Sequence, residues 1–67
     1  MHLVKVESTN INTVAYYEGD LFVEFKSGKR YKYNSVPYEL YQKMRSSESI
    51  GKFFLKEIKP NFYFEGL

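Results

Sequence analysis

The sequence predicts an α+β domain in which a three-stranded antiparallel β-meander is followed by two short α-helices packed on one face. Gly19 and Gly28 separate three segments of alternating apolar and polar residues, which is typical of two successive hairpins. After residue 36 the apolar residues recur every three or four positions, as they do in helices. A chain of 67 residues supports one core, so we expect a single domain over residues 1–67.

Each predicted strand has one apolar face. Alternation puts Thr13, Ala15 and Tyr17 on one face of the first strand, about residues 12–17, and Val14 and Tyr16 on the other. The second strand, LFVEF, has three apolar residues on one face. In the third strand Tyr31 and Tyr33 alternate with polar residues, so we expect them to form a structural aromatic motif under the helices. The opening HLVKV and the closing NFYFEGL are too short for the pattern to decide whether they add strands.

Two short helices should follow this meander. Pro37 suits the first turn of a helix, where a missing N–H costs nothing, and the helical spacing continues to about residue 46. The second helix should begin near Ser47 or Ser49, either of which can cap it, and end before Pro60. Its expected buried stripe is Ile50, Phe53, Phe54 and Ile58.

The composition argues against catalysis. The chain has no cysteine, which excludes disulfides and thiolate metal sites, and its one histidine, His2, lies at a terminus. We find no metal-ligand cluster and expect no metal, no cofactor and no enzymatic activity. No apolar run reaches the length of a signal peptide or a membrane span, so the sequence favours a soluble cytoplasmic protein.

Several motifs in order resemble the KTSC domain, a module named for its occurrence at the C-terminus of some lysyl-tRNA synthetases and also found as small free-standing proteins. The matching pieces are Ser8, Asn10 and Ile11, then EFKSG at 24–28, Tyr31 and Tyr33, Val36-Pro37 with Tyr41, and Gly51-Lys52-Phe53-Phe54. The resemblance implies the RNA binding that has been suggested for that family. This chain departs from such domains in ending with KPNFYFEGL where they tend to be rich in arginine.

Two basic sets are candidate nucleic-acid-binding sites. Phe22 on the second strand should lie near Lys26, Arg30 and Lys32 if the strands pair across Gly28, and a ring among cations can hold a base and its phosphates. Lysines also recur along one side of the second helix and can contact a phosphate backbone. These lysines are Lys52, Lys56 and Lys59.

We therefore expect a small non-catalytic module that binds RNA or another nucleic acid through a basic and aromatic surface. One alternative is a protein-interaction or homodimerisation module that uses exposed aromatic residues such as Phe62, Tyr63 and Phe64. Another is a protein of phage origin that sequesters a small anionic nucleotide. Solvated basic side chains and buried rings explain the same residues without any ligand, so the sequence leaves these interpretations open.

Overall fold

The computed structural model describes residues 2–67, which form one antiparallel sheet with two helices packed on one of its faces. In chain order the elements are β1 (Val4–Lys5), β2 (Ile11–Tyr17), β3 (Asp20–Phe25), β4 (Arg30–Tyr33), α1 (Tyr38–Ser46), α2 (Ile50–Phe53), a π-helical segment (Phe54–Ile58) and β5 (Phe64–Gly66). The strands lie side by side in the order β1-β2-β3-β4-β5.

The α+β class and the two helices are confirmed, but the predicted count of three strands is wrong. The sheet has five strands because β1 pairs with β2 and β5 pairs with β4, which adds one strand to each edge of the meander. These edge strands contain two and three residues. Such short segments cannot show a period-two pattern, so only their docking on the longer strands defines them.

The two predicted hairpins are present, and their turns need backbone that glycine adopts easily. Glu18 and Gly19 have φ angles of 49° and 84°, which is the type I′ geometry of a two-residue turn between Tyr17 and Asp20. Gly28, in the second turn, has a φ of 96°. Both glycines therefore occupy positions where a residue with a side chain would have a strained backbone.

An irregularity in β2 changes the face on which its first residue lies. The register with β3 shifts between Ile11 and Thr13, as happens when a bulge inserts one extra residue. Simple alternation would put Ile11 on the face of Thr13, yet Ile11 is fully buried with Val14. The bulge therefore recruits Ile11 to the core.

The helices begin and end close to the predicted residues. Of the two predicted caps for the second helix, Ser49 is the one used, since its hydroxyl accepts a hydrogen bond of 3.3 Å from the Lys52 N–H. Helix α2 then widens into the π-helical segment, where the Lys59 N–H donates to the Phe54 carbonyl at 2.9 Å. Beyond Pro60, the Asn61 side chain donates to the carbonyl of Glu57 at 2.9 Å.

The core lies between the helices and the covered face of the sheet. Phe54 is its largest fully buried side chain, and its ring meets those of Phe25 and Tyr33 edge to face at 5.6 and 5.2 Å. Of the predicted stripe, Phe54 and Ile58 are buried, while Ile50 and Phe53 are partly buried against the same cluster. Within residues 2–67 no helix covers the opposite face of the sheet, which we call the outer face. This outer face includes Phe22, Glu24, Arg30, Lys32 and Glu65.

Candidate nucleic-acid interface

The strand register brings Phe22 and two of the predicted cations together on the outer face. Phe22 is opposite Lys32, and Glu24 is opposite Arg30. Arg30 does not stand free, because its Nε donates to Glu24 Oε2 at 3.1 Å. Hydrogen bonds to Glu24 from Arg30 first and then from Asn12 hold the pKa of Glu24 below its usual value.

Lys32 also has a carboxylate partner, which the sequence did not indicate. Its Nζ lies 3.0 Å from Glu65 Oε2, since β5 pairs Glu65 directly opposite Lys32. The hydrogen bond to Glu65 raises the pKa of Lys32 above its usual value. A phosphate bound at Arg30 or Lys32 must therefore compete with a carboxylate already in place.

Phe22 borders a cleft of about 290 Å³ on the outer face. Both ends of the described chain reach this cleft, through Leu3 and Leu67, which are largely exposed. The Glu24–Arg30 pair lies on its rim. Phe22 thus has apolar neighbours and the Glu24–Arg30 ion pair beside it, in addition to Lys32 directly opposite on β4.

Tyr31 and Tyr33 lie on the covered face of the sheet. Tyr33 is 3% exposed, and burial raises the pKa of its hydroxyl. Phe64 from β5 packs on both rings, stacked on Tyr33 at 5.4 Å and edge to face with Tyr31 at 5.6 Å. These contacts give both tyrosines a role in holding β5 to the core.

The lysines of the second helical region occupy the other side of the molecule. Lys52, Lys56 and Lys59 are exposed, on helices that cover the face of the sheet opposite Phe22. Within residues 2–67 none of the three has a carboxylate within 4 Å. The sheet therefore separates this set from the predicted set of Arg30 and Lys32.

Lys26, the third predicted cation beside Phe22, lies at one end of the sheet. It is exposed in the turn after β3, and its N–H donates to the Asn10 carbonyl at 2.8 Å. Asn10 in turn touches the start of α2, because a Cβ at Gly51 would lie 3.0 Å from its Oδ1. The turn of Lys26 and the residue Lys52 are thus at the same end of the sheet.

Two motif pieces that are distant in sequence meet at this end for a structural reason. The Ser8 hydroxyl accepts hydrogen bonds from the N–H groups of Asn10 and Ile11 at 3.4 and 3.3 Å, which shapes the loop before β2. A side chain at position 51 would crowd this loop, so Gly51 lets α2 approach it closely.

Sequence reasoning missed the exposed residues of α1. Tyr38, Gln42 and Arg45 follow each other at intervals of four and three residues and line one shallow cleft. Lys43 and Arg45 are both exposed, and neither has a carboxylate within 4 Å among residues 2–67. The spacing of Tyr38, Gln42 and Arg45 at helical intervals was the sequence pattern that could have indicated this surface.

Residues 2–67 contain no group of three or more His, Asp or Glu side chains placed to hold a metal ion. Within the same range, none of the helices is both long enough and apolar enough to cross a membrane.

The fold and these surfaces define a small α+β module whose sheet is covered on one face. Among residues 2–67, most lysine and arginine side chains that have no carboxylate within 4 Å lie between residues 37 and 61. The sequence profile of the KTSC domain matches residues 7–63. A protein of Stutzerimonas stutzeri (strain A1501), described as uncharacterized, is 34% identical over 65 residues, which is 94% of this chain and 92% of that protein. The crystal structure of a KTSC domain protein from Yersinia pestis superimposes with a TM-score of 0.93 at 28% identity, covering 98% of this chain and 96% of the other. The chain belongs to the KTSC domain family, as its motifs indicated.

Proposed function

We propose that this protein is a non-catalytic cytoplasmic module that binds RNA, single-stranded or structured, or another nucleic acid, mainly through phosphates on its helical side. The observation that carries this proposal is the uneven distribution of charge. Residues 37–61, which contain the helices, hold five basic and three acidic side chains, while the rest of the chain holds five of each. The net charge of +2 therefore belongs to the helical segment.

The ion pairs increase the difference in available positive charge between the helical side and the outer face of the sheet. On the outer face Arg30 and Lys32 are both bonded to carboxylates, whereas Lys52, Lys56 and Lys59 have none within 4 Å among residues 2–67. Neutralising phosphates with free cations releases counterions and favours binding. A cation already paired with a carboxylate gains less, because the first bond must be broken. The helical lysines are thus better phosphate contacts than Arg30 and Lys32.

The test compares two triple variants that remove the same charge. In one, Lys52, Lys56 and Lys59 become Gln; in the other, Lys5, Arg30 and Lys32 become Gln. Fluorescence anisotropy would measure the affinity of each for a labelled ten-nucleotide single-stranded RNA between 50 and 300 mM salt. Each lost phosphate contact lowers the slope of log affinity against log salt by about 0.7, so the helical variant should lose about 2.

The variant with Lys5, Arg30 and Lys32 replaced, which is the control, should show less than half of that decrease in slope. Binding that is abolished only in the sheet variant would move the interface to the outer face and support the Phe22, Arg30 and Lys32 prediction. An RNA affinity that neither variant changes, or the absence of salt-dependent binding by the parent protein, would refute the proposal.

A second candidate function is favoured by the free edge of β5. Tyr63 and Leu67 are 71% and 69% exposed, and they flank a strand whose other edge has no partner within residues 2–67. Exposed rings at a free edge are typical of sites where another protein chain adds a strand. The double substitution Tyr63→Ser, Leu67→Ser should then convert an oligomer seen in a native mass spectrum to monomer. A monomeric parent protein would exclude self-association.

A further inference from the structure

Helix α1 has an exposed stripe that the proposed phosphate contacts do not use. Tyr38, Gln42, Arg45 and Ser46 line a shallow cleft of about 480 Å³ on the surface of the helix. None of these four lining residues is acidic, and Arg45 is the charged one. The cleft therefore combines an aromatic ring, an amide and a cation without a carboxylate on its walls.

The ring of Tyr38 is exposed, and the rings of Tyr16 and Tyr41 pack against it. It is 53% exposed, and it meets the ring of Tyr16 edge to face at 5.2 Å and that of Tyr41 at 6.0 Å. Tyr16 is itself fixed, since its ring stacks on Tyr41 at 5.2 Å and its hydroxyl donates to the Val36 carbonyl at 2.6 Å. A ligand that stacks on Tyr38 would meet a surface that is already ordered, so it loses little entropy in ordering it.

Arg45 is held by the same aromatic cluster. Its guanidinium carbon lies 5.7 Å from the centre of the Tyr41 ring, within the range of a cation–π contact. It also borders a neighbouring cleft with Glu7 and Glu48, but within residues 2–67 no carboxylate lies within 4 Å of it. The guanidinium is thus positioned beside the cleft with its charge available to an anion.

We propose that Tyr38, Gln42 and Arg45 form a stacking site for one unpaired nucleobase of a bound single strand. This inference rests on the proposed function, because it supplies the base contact that lysines alone do not provide. The base lies on the Tyr38 ring, the Gln42 amide can donate to and accept from its edge, and Arg45 binds an adjacent phosphate. Bases in a duplex are already stacked on each other, so the site selects single strands.

The experiment measures the affinity of the same labelled ten-nucleotide RNA for Tyr38→Ala, Tyr38→Phe and Tyr17→Ala. Tyr17 is a matched control because it is 49% exposed and lies on β2 with its side chain on the outer face. Loss of one stacked base should weaken binding by Tyr38→Ala by about 5- to 150-fold. The salt dependence should not change, since Tyr38 carries no charge. Tyr38→Phe, which keeps the ring, should recover most of the affinity lost in Tyr38→Ala, and Tyr17→Ala should bind like the parent protein.

The outcomes separate the two proposals. If Tyr38→Ala binds normally while the Lys52, Lys56 and Lys59 variant is weakened, the stacking site is refuted and the proposed function stands. If Tyr38→Ala weakens single-stranded and double-stranded RNA equally, stacking is also refuted. A parent protein that binds no RNA overturns both proposals.

A second measurement keeps the test decisive if Tyr38→Ala is poorly folded. In a ¹⁵N-resolved NMR titration of the parent protein with the same RNA, the side-chain amide of Gln42 should shift at saturation. The matched reference is the side-chain amide of Asn12, which donates to Glu24 Oε1 at 3.1 Å on the outer face, away from the helices. A Gln42 amide that does not move while backbone signals of the lysine region do would refute the stacking site.

Discussion

The hydrogen bond from the Tyr16 hydroxyl to the Val36 carbonyl fixes the ring on which Tyr38 packs, and it can be tested by removing a single oxygen atom. In Tyr16→Phe the ring keeps its contacts with Tyr38 and Tyr41, but the Val36 carbonyl loses a donor at 2.6 Å. Val36 is 1% exposed, so water has little access to that carbonyl. Leaving a buried acceptor without its partner costs about 1–3 kcal/mol, and each kcal/mol lowers the Tm of a domain of this size by about 4–8 °C.

Urea denaturation followed by far-UV circular dichroism would measure this loss. The matched control is Tyr38→Phe, which removes a hydroxyl from a side chain that is 53% exposed and should change stability by less than about 0.5 kcal/mol. The midpoint should fall in Tyr16→Phe with an unchanged denaturant slope, since the exposed surface is the same. Equal stability of the two variants would show that the Tyr16 hydroxyl does not anchor the segment before α1.

Three further predictions concern the outer face and the first turn. The pKa of Glu24 is lowered in the folded state, so the Glu24 carboxylate stabilises the fold above pH 4.5, its usual pKa, and this stabilisation is lost as the pH falls through the folded pKa. Glu24→Gln should therefore make the free energy of unfolding less dependent on pH in that acid range. The pKa of Lys32 is raised, so the charged Lys32 side chain stabilises the fold below pH 10.5, its usual pKa, and this stabilisation is lost as the pH rises through the folded pKa. Glu65→Gln should therefore make the free energy of unfolding less dependent on pH in that alkaline range. Glu18 has a φ of 49°, a conformation that asparagine adopts more readily, so Glu18→Asn should raise the free energy of unfolding by about 0.5–1 kcal/mol in urea titrations. An unchanged or lowered stability of Glu18→Asn would contradict that account of the turn.

The elements with strong local signals were predictable from the sequence. The turn glycines and the alternation in LFVEF defined the hairpins, and Ser49 with Pro60 bounded the second helix. The π-helical segment was not predictable, because FLKEI has the apolar spacing of an ordinary helix and differs only in which carbonyl the Lys59 N–H meets. The burial of Ile11 was missed for a similar reason, since it depends on a bulge that alternation does not reveal.

The site was less predictable than the fold because its charges depend on distant pairings. A prediction from the hairpin alone brings Lys32 near Phe22, and the register agrees. It cannot include Glu65, which reaches Lys32 only because β5 returns to the edge of the sheet. One short strand therefore converts a predicted basic patch into an ion-paired surface.

This role of β5 connects the two faces of the molecule. Phe64 packs on Tyr31 and Tyr33 on the covered face, while the next residue, Glu65, neutralises Lys32 on the outer face. Release of β5 would expose apolar rings and free a cation at the same time, so a phosphate on the outer face could gain Lys32 only at the cost of that packing. No such cost opposes Lys52, Lys56 and Lys59, whose ammonium groups have no carboxylate within 4 Å among residues 2–67. The docking of β5 on β4, which pairs Glu65 with Lys32, is thus the physical reason to look for nucleic acid on the helices.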